Sequence, residues 1–344
     1  MFAARFGILG GETFCHDGRK NEPMKRSESN PILTRRDIPA IPPYLVDVTS
    51  VFNPGAVRFG DAILLLLRVQ NRGRETFFLT AASRDGVHFD VSDRVVHFEG
   101  IESVGRKIYH LYDARITRIG DEFFLLFAMD LDDGCHLGLG VTTDFEHFRF
   151  LGIVSDWDSR NGVLFPEKIG GKFLRLERPN RVRVQKSPAT GDTIVLSESD
   201  DLLHWKIKAE VAGGRPHYWD ELIGPGPPPI KTREGWLQIY HGIALHLANI
   251  YIYQAGVFLL DLKDPAKVLA RSRYNILEPR ELYELTGQVP NVVFPSGAVA
   301  EGVDAEGFAA PESPVLIYYG AADTTVGLVQ TTVGELVERA FSRL

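Results

Sequence analysis

The chain has 344 residues, a formal net charge of −7 and a pI near 5.8, and it has no long run of Lys or Arg, so it lacks the basic surface that nucleic acids require. Two cysteines, Cys15 and Cys135, are too few for a disulfide scaffold or a metal site, and no run of eighteen apolar residues predicts a membrane span. We therefore expect a soluble cytoplasmic protein without metal, membrane or nucleic-acid partners.

The two ends of the chain differ in pattern from the middle. Residues 1–40 are rich in Gly, Pro and mixed charge and predict an irregular N-terminal arm. Residues 331–344 place Leu336, Ala340 and Leu344 four apart, which predicts a short C-terminal helix. Arm and helix also offer contact surfaces for a homo-oligomer.

Between these ends, residues 41–330 repeat a hairpin pattern in which two apolar runs flank a short polar turn. The turns are predicted at four residue pairs: Gly60-Asp61, Gly120-Asp121, Gly170-Gly171 and Glu234-Gly235. The hairpin copies run over residues 53–68, 113–130, 166–178 and 225–241, with a looser fifth copy over 295–323.

A polar-aromatic segment recurs in step with these hairpins. It contains His88, His147 and His204, which follow one another at about 58 positions. Five hairpin copies at this spacing in an all-β chain predict a five-bladed β-propeller over residues 41–330. Because one reactive group is not needed three times, we interpret the three histidines as structural.

The second hairpin carries the first candidate catalytic group. Asp113 begins its first strand and Asp130 ends its second, so both lie at one rim of the hairpin. Arg115 follows Asp113 by two positions, on the same side of an extended strand, and an acid beside a fixed cation is a candidate for proton transfer. A purely structural Asp-Arg pair remains open from these residues alone.

In a propeller all hairpin openings surround one axial pocket. The openings bring cations that outnumber the nearby acids on an otherwise acidic chain, namely Arg68, Arg160, Lys168 and Arg178. Such a set indicates an anionic ligand held by guanidinium groups, with phosphate as the natural candidate and His241 as a further donor. A water-filled channel lined by paired charges is the structural alternative.

Several longer motifs carry a family resemblance. They are DARIT at Asp113, SRNGVLFPEKIGGKFLRLERP from Ser159, GPGPPPIKTREGWLQIYHG from Gly224, ILEPRELYE from Ile276, NVVFPSG from Asn291 and YYGAADTTVGL from Tyr318. Together they resemble the β-mannoside phosphorylases of glycoside hydrolase family 130. The resemblance implies a five-bladed propeller that transfers a terminal β-linked mannose to inorganic phosphate, giving α-D-mannose 1-phosphate and a shortened acceptor. It implies no cofactor, since phosphate is a co-substrate.

The same resemblance implies roles for individual residues. Asp113 falls on the family's catalytic acid, whose proton is thought to pass through the 3-hydroxyl of the mannose. The phosphate-binding positions fall on Arg160, Arg178 and His241, with Lys168 nearby. The sugar-binding positions fall on Asn53, Arg68, Tyr112 and Asp323. The chain departs from the family at Ala114, where many relatives carry Pro, and we expect this change to leave the chemistry intact.

Two other functions remain open. A β-mannoside hydrolase on the same scaffold would lack the phosphate cations and carry glutamates, and a carbohydrate-binding propeller would lack the acid or the cations. The acceptor also remains open among β-1,4-linked mannosyl-glucose, mannosyl-N-acetylglucosamine, manno-oligosaccharides and β-1,2-mannobiose; we favour a short β-1,4-mannoside. His246, Asn249 and Tyr251 are weaker candidates for lining the pocket, and His217, Tyr218 and Trp219 for shaping its acceptor side.

Overall fold

The computed structural model describes residues 24–182, 190–246 and 250–342, so Cys15, Asn249, Leu344 of the predicted helix and residues 1–23 of the predicted arm lie outside the described residues. Within the described ranges the strands form five sheets that follow one another along the chain, and all neighbouring strands are antiparallel except for one short pair in the second sheet. The first strand of each sheet lies at a common axis, where β1 contacts β6 and β19, and β10 contacts β6 and β14. The predicted five-bladed β-propeller is confirmed.

The strands of the first three blades are as follows. Blade 1 contains β1 (Val48–Phe59), β2 (Ala62–Asn71), β3 (Thr76–Ser83) and β4 (Asp90–Val95). A short strand, β5 (Phe98–Glu99), and a 3-10 helix (Ile101–Val104) lead into blade 2, and β5 pairs in parallel with its last strand. Blade 2 contains β6 (His110–Ile119), β7 (Glu122–Leu131), β8 (Gly134–Thr142) and β9 (Phe148–Ile153). Blade 3 contains β10 (Ser159–Leu164), β11 (Phe173–Pro179), β12 (Thr193–Ser199) and β13 (Lys206–Gly213).

The last two blades depart from the four-strand pattern. Blade 4 contains β14 (Leu222–Pro225) and β15 (Ile230–Thr232), which both pair with β16 (Gly235–His246), followed by β17 (Ile250–Leu260) and β18 (Val268–Arg271). Helix α1 (Leu282–Leu285) joins it to blade 5, which contains β19 (Val293–Ala300), β20 (Pro314–Ala321) and β21 (Thr325–Thr332). Helix α2 (Val333–Phe341) follows, with the Thr332 side chain accepting a hydrogen bond from the Glu335 amide.

The first three predicted turns lie where the sequence places them, but the fourth is shifted by one residue. Thr232 pairs with Gly235, so the turn is Arg233-Glu234 and Gly235 already belongs to β16. A Cβ at Gly235 would lie 2.4 Å from the carbonyl oxygen of Leu260, so this glycine allows close strand approach. The fifth copy has no tight turn, since residues 301–313 connect β19 to β20.

The N-terminal segment completes blade 5. Arg26 and Leu33 form bridges to Val329 and Val326 of β21, so the segment lies along the free edge of that strand. The Arg26 guanidinium also donates to both carboxylate oxygens of buried Glu284, at 2.7 and 2.8 Å. The segment before blade 1 thus closes the ring through both backbone hydrogen bonds and a largely buried ion pair.

The recurrent polar segments form one kind of turn, which joins the third and fourth strands of blades 1 to 3. In the first, the Asp85 carboxylate accepts from the amides of Val87 and His88 and lies 2.8 Å from the His88 ring. Asp144 with His147 and Asp201 with His204 repeat these contacts. All three histidine side chains are exposed and hold the same turn in each blade, so they remain interpreted as structural.

The described ranges contain no helix that is long and apolar enough to cross a membrane. They also contain no group of three or more His, Cys, Asp or Glu side chains arranged to hold a metal ion.

Candidate active site

A cavity of about 320 Å³ opens at one end of the propeller axis. Its polar lining comes mainly from blades 1 to 3, with further residues from the last two blades and the segment between them. The lining comprises Asn53, Arg68, Gln70, Arg74, His110, Tyr112, Asp113, Asp130, Arg160, Asn161, Arg178, Tyr253, Val289, Val292, Phe294 and Asp323. The structure therefore brings seven of the nine predicted site residues to one cavity, and the other two, Lys168 and His241, do not line it.

Three of these residues occupy bulges at the same place in three inner strands. Asn53, Asp113 and Asn161 adopt φ of 47°, 54° and 56°, and the strand register skips at each of them. Asn and Asp tolerate this left-handed conformation better than other residues with a side chain. A bulge re-aims the side chain of its strand. In each of these blades an Asn or Asp side chain is thereby turned toward the axis.

The Asp113 carboxyl is held by two donors from blade 1. Its Oδ1 accepts from Asn53 Nδ2 and from an Arg68 guanidinium nitrogen, each at 2.9 Å. The predicted side-chain pairing with Arg115 is wrong, since Arg115 donates to the main-chain carbonyl of Asp113 and to that of Gly226. The bulge is the reason, because it breaks the alternation that would place residues two apart on one face.

Arg68 connects the acid to the rest of this wall. Its guanidinium lies 4.4 Å from the ring centre of Phe52 and 4.7 Å from that of Tyr112, so it is sandwiched between aromatic faces. Asp323 stands in the turn after β20, with φ of 49°. Burial raises the pKa of Asp323 to about 6, with Arg68 opposing the rise and Asp113 adding to it.

Arg160 and Arg178 form a second, cationic wall in blade 3, where they are directly opposite each other on β10 and β11. Arg178 is 5% exposed, and burial lowers its pKa to about 10. Within the described residues no carboxylate lies within 4.0 Å of the Arg178 guanidinium, and the buried Nε atoms of both arginines lack hydrogen-bond partners. A buried guanidinium without a carboxylate is costly, and an anion in the cavity would offset that cost.

Asp130 links Arg160 to Tyr112. Its Oδ1 accepts from the Tyr112 hydroxyl at 2.8 Å and lies 3.8 Å from the Arg160 guanidinium. The Tyr112 hydroxyl also lies 3.4 Å from the thiol of buried Cys135, whose pKa is raised to about 11 by burial. The thiol is therefore protonated at neutral pH and acts as a small apolar neighbour.

Two predicted phosphate ligands do not line the cavity. Lys168 is exposed beside the turn that joins β10 to β11, with its amine 4.3 Å from the Phe173 ring centre. Arg160 and Arg178 lie at the opposite end of this hairpin, so the prediction that Lys168 binds phosphate is wrong. Arg160 lies at the cavity end of β10, whereas Lys168 follows the other end of this strand.

His241 is wholly buried, and its Nε2 lies 3.3 Å from an Arg178 guanidinium nitrogen. Burial holds the pKa of His241 well below its usual value, with Arg178 and Arg115 acting in the same direction. The neutral ring can accept from Arg178 and orient it. Gly224 allows this contact, because a Cβ there would lie 2.5 Å from His241 Cε1.

The sequence patterns did not point to several residues that line the cavity. Asn161 resembles Asn53 and Asp113 in residue type and in its positive φ, but it lies before the predicted third copy, residues 166–178, and nine positions before its turn instead of seven, so alignment of the copies on their turns does not find it. The remaining ones lie on strand ends, a turn and the segment before blade 5: Gln70, Arg74, His110, Tyr253, Val289, Val292 and Phe294. Of the weaker candidates, His246, His217, Tyr218 and Trp219 line a separate cavity of about 610 Å³, and Tyr251 lines neither.

Comparison with known proteins identifies the family of this chain. The family model described as β-1,4-mannooligosaccharide phosphorylase matches residues 23–340. A β-1,4-mannooligosaccharide phosphorylase from Ruminococcus albus is 32% identical over 320 residues, which cover 91% of this chain and 89% of that protein. A β-1,2-mannobiose phosphorylase from Listeria innocua is 30% identical over 91% of this chain and 97% of that protein. The structure of β-1,2-mannobiose phosphorylase from Listeria innocua with β-1,2-mannobiose matches with a TM-score of 0.77 at 28% identity, over 92% of this chain and 99% of that one. The chain therefore belongs to glycoside hydrolase family 130, the β-mannoside phosphorylases.

Proposed function

We propose that this chain catalyses inverting phosphorolysis of a terminal β-mannoside, giving α-D-mannose 1-phosphate and a shortened acceptor. The observation that carries the proposal is the cation wall. Arg178 is buried without a carboxylate of its own beside Arg160, and the same cavity holds Asp113. Membership of the family supports the reaction class.

Phosphate serves as the nucleophile. Arg160 and Arg178 present planar forks to its oxygens, and His241 fixes the orientation of Arg178. Phosphate is already an anion at neutral pH, so no carboxylate base is needed to activate it, unlike the water of an inverting hydrolase. The protein's contribution on this side is to hold the nucleophile below the anomeric carbon and to screen its charge.

Asp113 supplies the proton. As a phosphate oxygen forms its bond to the anomeric carbon, the glycosidic bond breaks and the leaving oxygen takes a proton. We assign that proton to Asp113, passed through the mannose 3-hydroxyl. The carboxylate that remains accepts hydrogen bonds from Asn53 and Arg68, which stabilise it until it is protonated again.

The mannose is assigned to the space between the two walls. Asn53 and Arg68 reach it beside Asp113, the Tyr112 ring forms part of its floor, and Asp323 accepts from its hydroxyls. Charged and aromatic side chains that are locked by their neighbours fix a sugar with little loss of side-chain entropy. Arg68, held between two rings, is such a group.

The hydrolase alternative requires a second carboxylate opposite the acid. No glutamate lines the cavity within the described part of the chain, and the two further aspartates have other surroundings. Asp130 accepts from Tyr112 and neighbours Arg160, whereas Asp323 lies near Arg68 and Asp113, on the acid's own side. The binding-only alternative leaves unexplained why buried Arg178 and half-buried Arg160 lie in one cavity with Asp113.

For the linkage we propose a short β-1,4-mannoside. The matching family model and the relative from Ruminococcus albus both carry a β-1,4-mannooligosaccharide description. The second candidate is a β-1,2-mannoside, favoured by the relative from Listeria innocua and its complex with β-1,2-mannobiose.

The test is to incubate the protein with phosphate and a panel of β-1,4- and β-1,2-linked mannosides and to quantify α-D-mannose 1-phosphate. We expect phosphate-dependent formation of this product, abolished in Asp113→Asn. Asp121→Asn, in an exposed turn of the same blade, is the matched control and should retain activity. Release of free mannose at a rate independent of phosphate would instead establish the hydrolase, and no turnover of any linkage would refute the proposal.

A further inference from the structure

The positions of the two walls define where the leaving sugar must lie. Inversion requires the nucleophile and the leaving group on opposite faces of the anomeric carbon. The cations assigned to phosphate belong to blade 3, supported by His241 of blade 4, whereas Asp113 and its donors belong to blades 2 and 1. The leaving sugar therefore extends toward the opening between blades 1 and 2.

A layer of polar side chains lies at that opening. Gln70 follows Arg68 by two positions on β2, and His110 precedes Tyr112 by two on β6, so each continues one lined face of its strand outward. Arg74, in the turn after β2, completes the layer. All three line the same cavity as the acid; Gln70 is as buried as Asp113, whereas His110 is half-buried and Arg74 is exposed.

His110 has hydrogen-bonding capacity that nothing uses. Neither ring nitrogen makes a hydrogen bond with any residue in the described ranges, although Nδ1 is shielded from solvent. Burial lowers the pKa of His110, with Arg68 and Arg74 acting in the same direction and Asp130 opposing them, so the ring is neutral at pH 7. A neutral imidazole offers one donor and one acceptor, which matches a sugar hydroxyl.

We propose that His110 is a specificity-determining residue that hydrogen-bonds the leaving sugar in phosphorolysis and the acceptor sugar in the reverse reaction. This inference rests on the proposed function. It assigns to one residue the choice among acceptors whose hydroxyls differ in position. A sugar that covers the half-buried ring without hydrogen-bonding to it leaves the ring without water and without a partner, which penalises that sugar.

The test uses the reverse reaction, in which phosphate release is measured from α-D-mannose 1-phosphate with mannose, glucose, N-acetylglucosamine or mannobiose as acceptor. In His110→Ala we expect the KM of the preferred acceptor to rise about five- to tenfold. The KM of α-D-mannose 1-phosphate should stay within twofold. The ratio of kcat/KM between two acceptors should change at least threefold, which a merely structural disturbance would not produce.

His110→Asn keeps a donor and an acceptor and should restore part of the acceptor affinity. His88→Ala, which removes an exposed histidine outside the cavity, is the matched control and should leave every parameter unchanged. An active wild type with unaltered acceptor KM and acceptor ratios in His110→Ala would overturn this inference alone. A wild type that releases no phosphate with any acceptor would overturn the proposed function and this inference with it.

Discussion

Replacing Asp323 by Asn tests whether the free enzyme carries an electrostatic cost in its site. Burial raises the pKa of Asp323 from 3.8 to about 6, which corresponds to roughly 3 kcal/mol at about 1.36 kcal/mol per pH unit. The side chain lines the cavity and is not wholly enclosed, so screening by water reduces this to about 1–2 kcal/mol. Asn is the appropriate replacement because it tolerates the φ of 49°.

The raised pKa of Asp323 makes the folding stability of the wild type depend on pH. Below pH 3.8 Asp323 is protonated in both the folded and the unfolded chain; between 3.8 and about 6 only the folded chain keeps the proton. Above pH 6 both are ionised, and the folded chain carries the full cost of the buried charge. Wild-type stability from this group thus falls as pH rises through this interval. Asp323→Asn should therefore gain about 1–2 kcal/mol at pH 7.5 and about a third of that at pH 4.5.

Urea unfolding at the two pH values measures these free energies, with Asp121→Asn, in the exposed turn, as a control that should change little at either pH. Asp323→Asn should also lose mannoside affinity, seen as a higher KM for the mannoside, because the neutral amide replaces a carboxylate acceptor. A variant that is equally or less stable than wild type at pH 7.5 would refute the electrostatic reasoning.

Three further predictions concern close packing, the anion site and ring closure. In Gly320→Ala the new Cβ would lie 1.8 Å from Asn53 Oδ1, so Asn53 must move. Phosphate release should fall at least tenfold with an unchanged circular dichroism spectrum, and full activity would contradict the placement of Asn53 beside Gly320. Arg178→Lys keeps the positive charge but loses the planar guanidinium, so the KM for phosphate should rise at least tenfold while the KM for the mannoside stays within twofold. Equal changes in both KM values would count against an anion site at Arg178. Glu284→Gln leaves the Arg26 guanidinium without its counter-charge and should lower the free energy of unfolding in urea by about 3–5 kcal/mol. A decrease of less than about 1 kcal/mol would show that this ion pair does not close the ring.

The propeller could be predicted because its signals are periodic and local. Turn pairs such as Gly60-Asp61 and the recurrent Asp85 to His88 segment each specify one hairpin or one turn, and their spacing specifies the repeat. The contribution of the N-terminal segment to blade 5 could not be predicted, because its bridges to β21 join residues about 300 positions apart and no local pattern encodes such a pairing.

Errors in the site arose where the backbone departs from regular strand geometry. Alternation predicted that Arg115 faces the Asp113 carboxyl, but the bulge at Asp113 reverses the relation. The prediction places Lys168 with Arg160 and Arg178 at one hairpin opening, whereas in the structure Lys168 lies at the far end of that hairpin. His110 begins β6, and it lines the cavity beside Arg68 and Arg74 of the neighbouring blade. Sequence spacing alone does not predict which residues of one blade lie beside those of the next.

The asymmetry of the site has a simple origin in the repeat. In blades 1 to 3 the residue that precedes the bulge pairs with Arg68, Ala128 and Arg178 of the second strand. In blade 4 Gly224 pairs with His241, and in blade 5 Phe294 pairs with Gly320. Small residues in blades 2 and 5 leave room, and Gly320 gives its space to Asn53. Arg68 of blade 1 and Arg178 of blade 3 line the cavity, whereas His241 of blade 4 contacts Arg178. These second-strand residues, together with Asp113 at the bulge of blade 2, give a five-fold scaffold an acid side and a cation side, so exchanging them should alter the chemistry while leaving the fold intact.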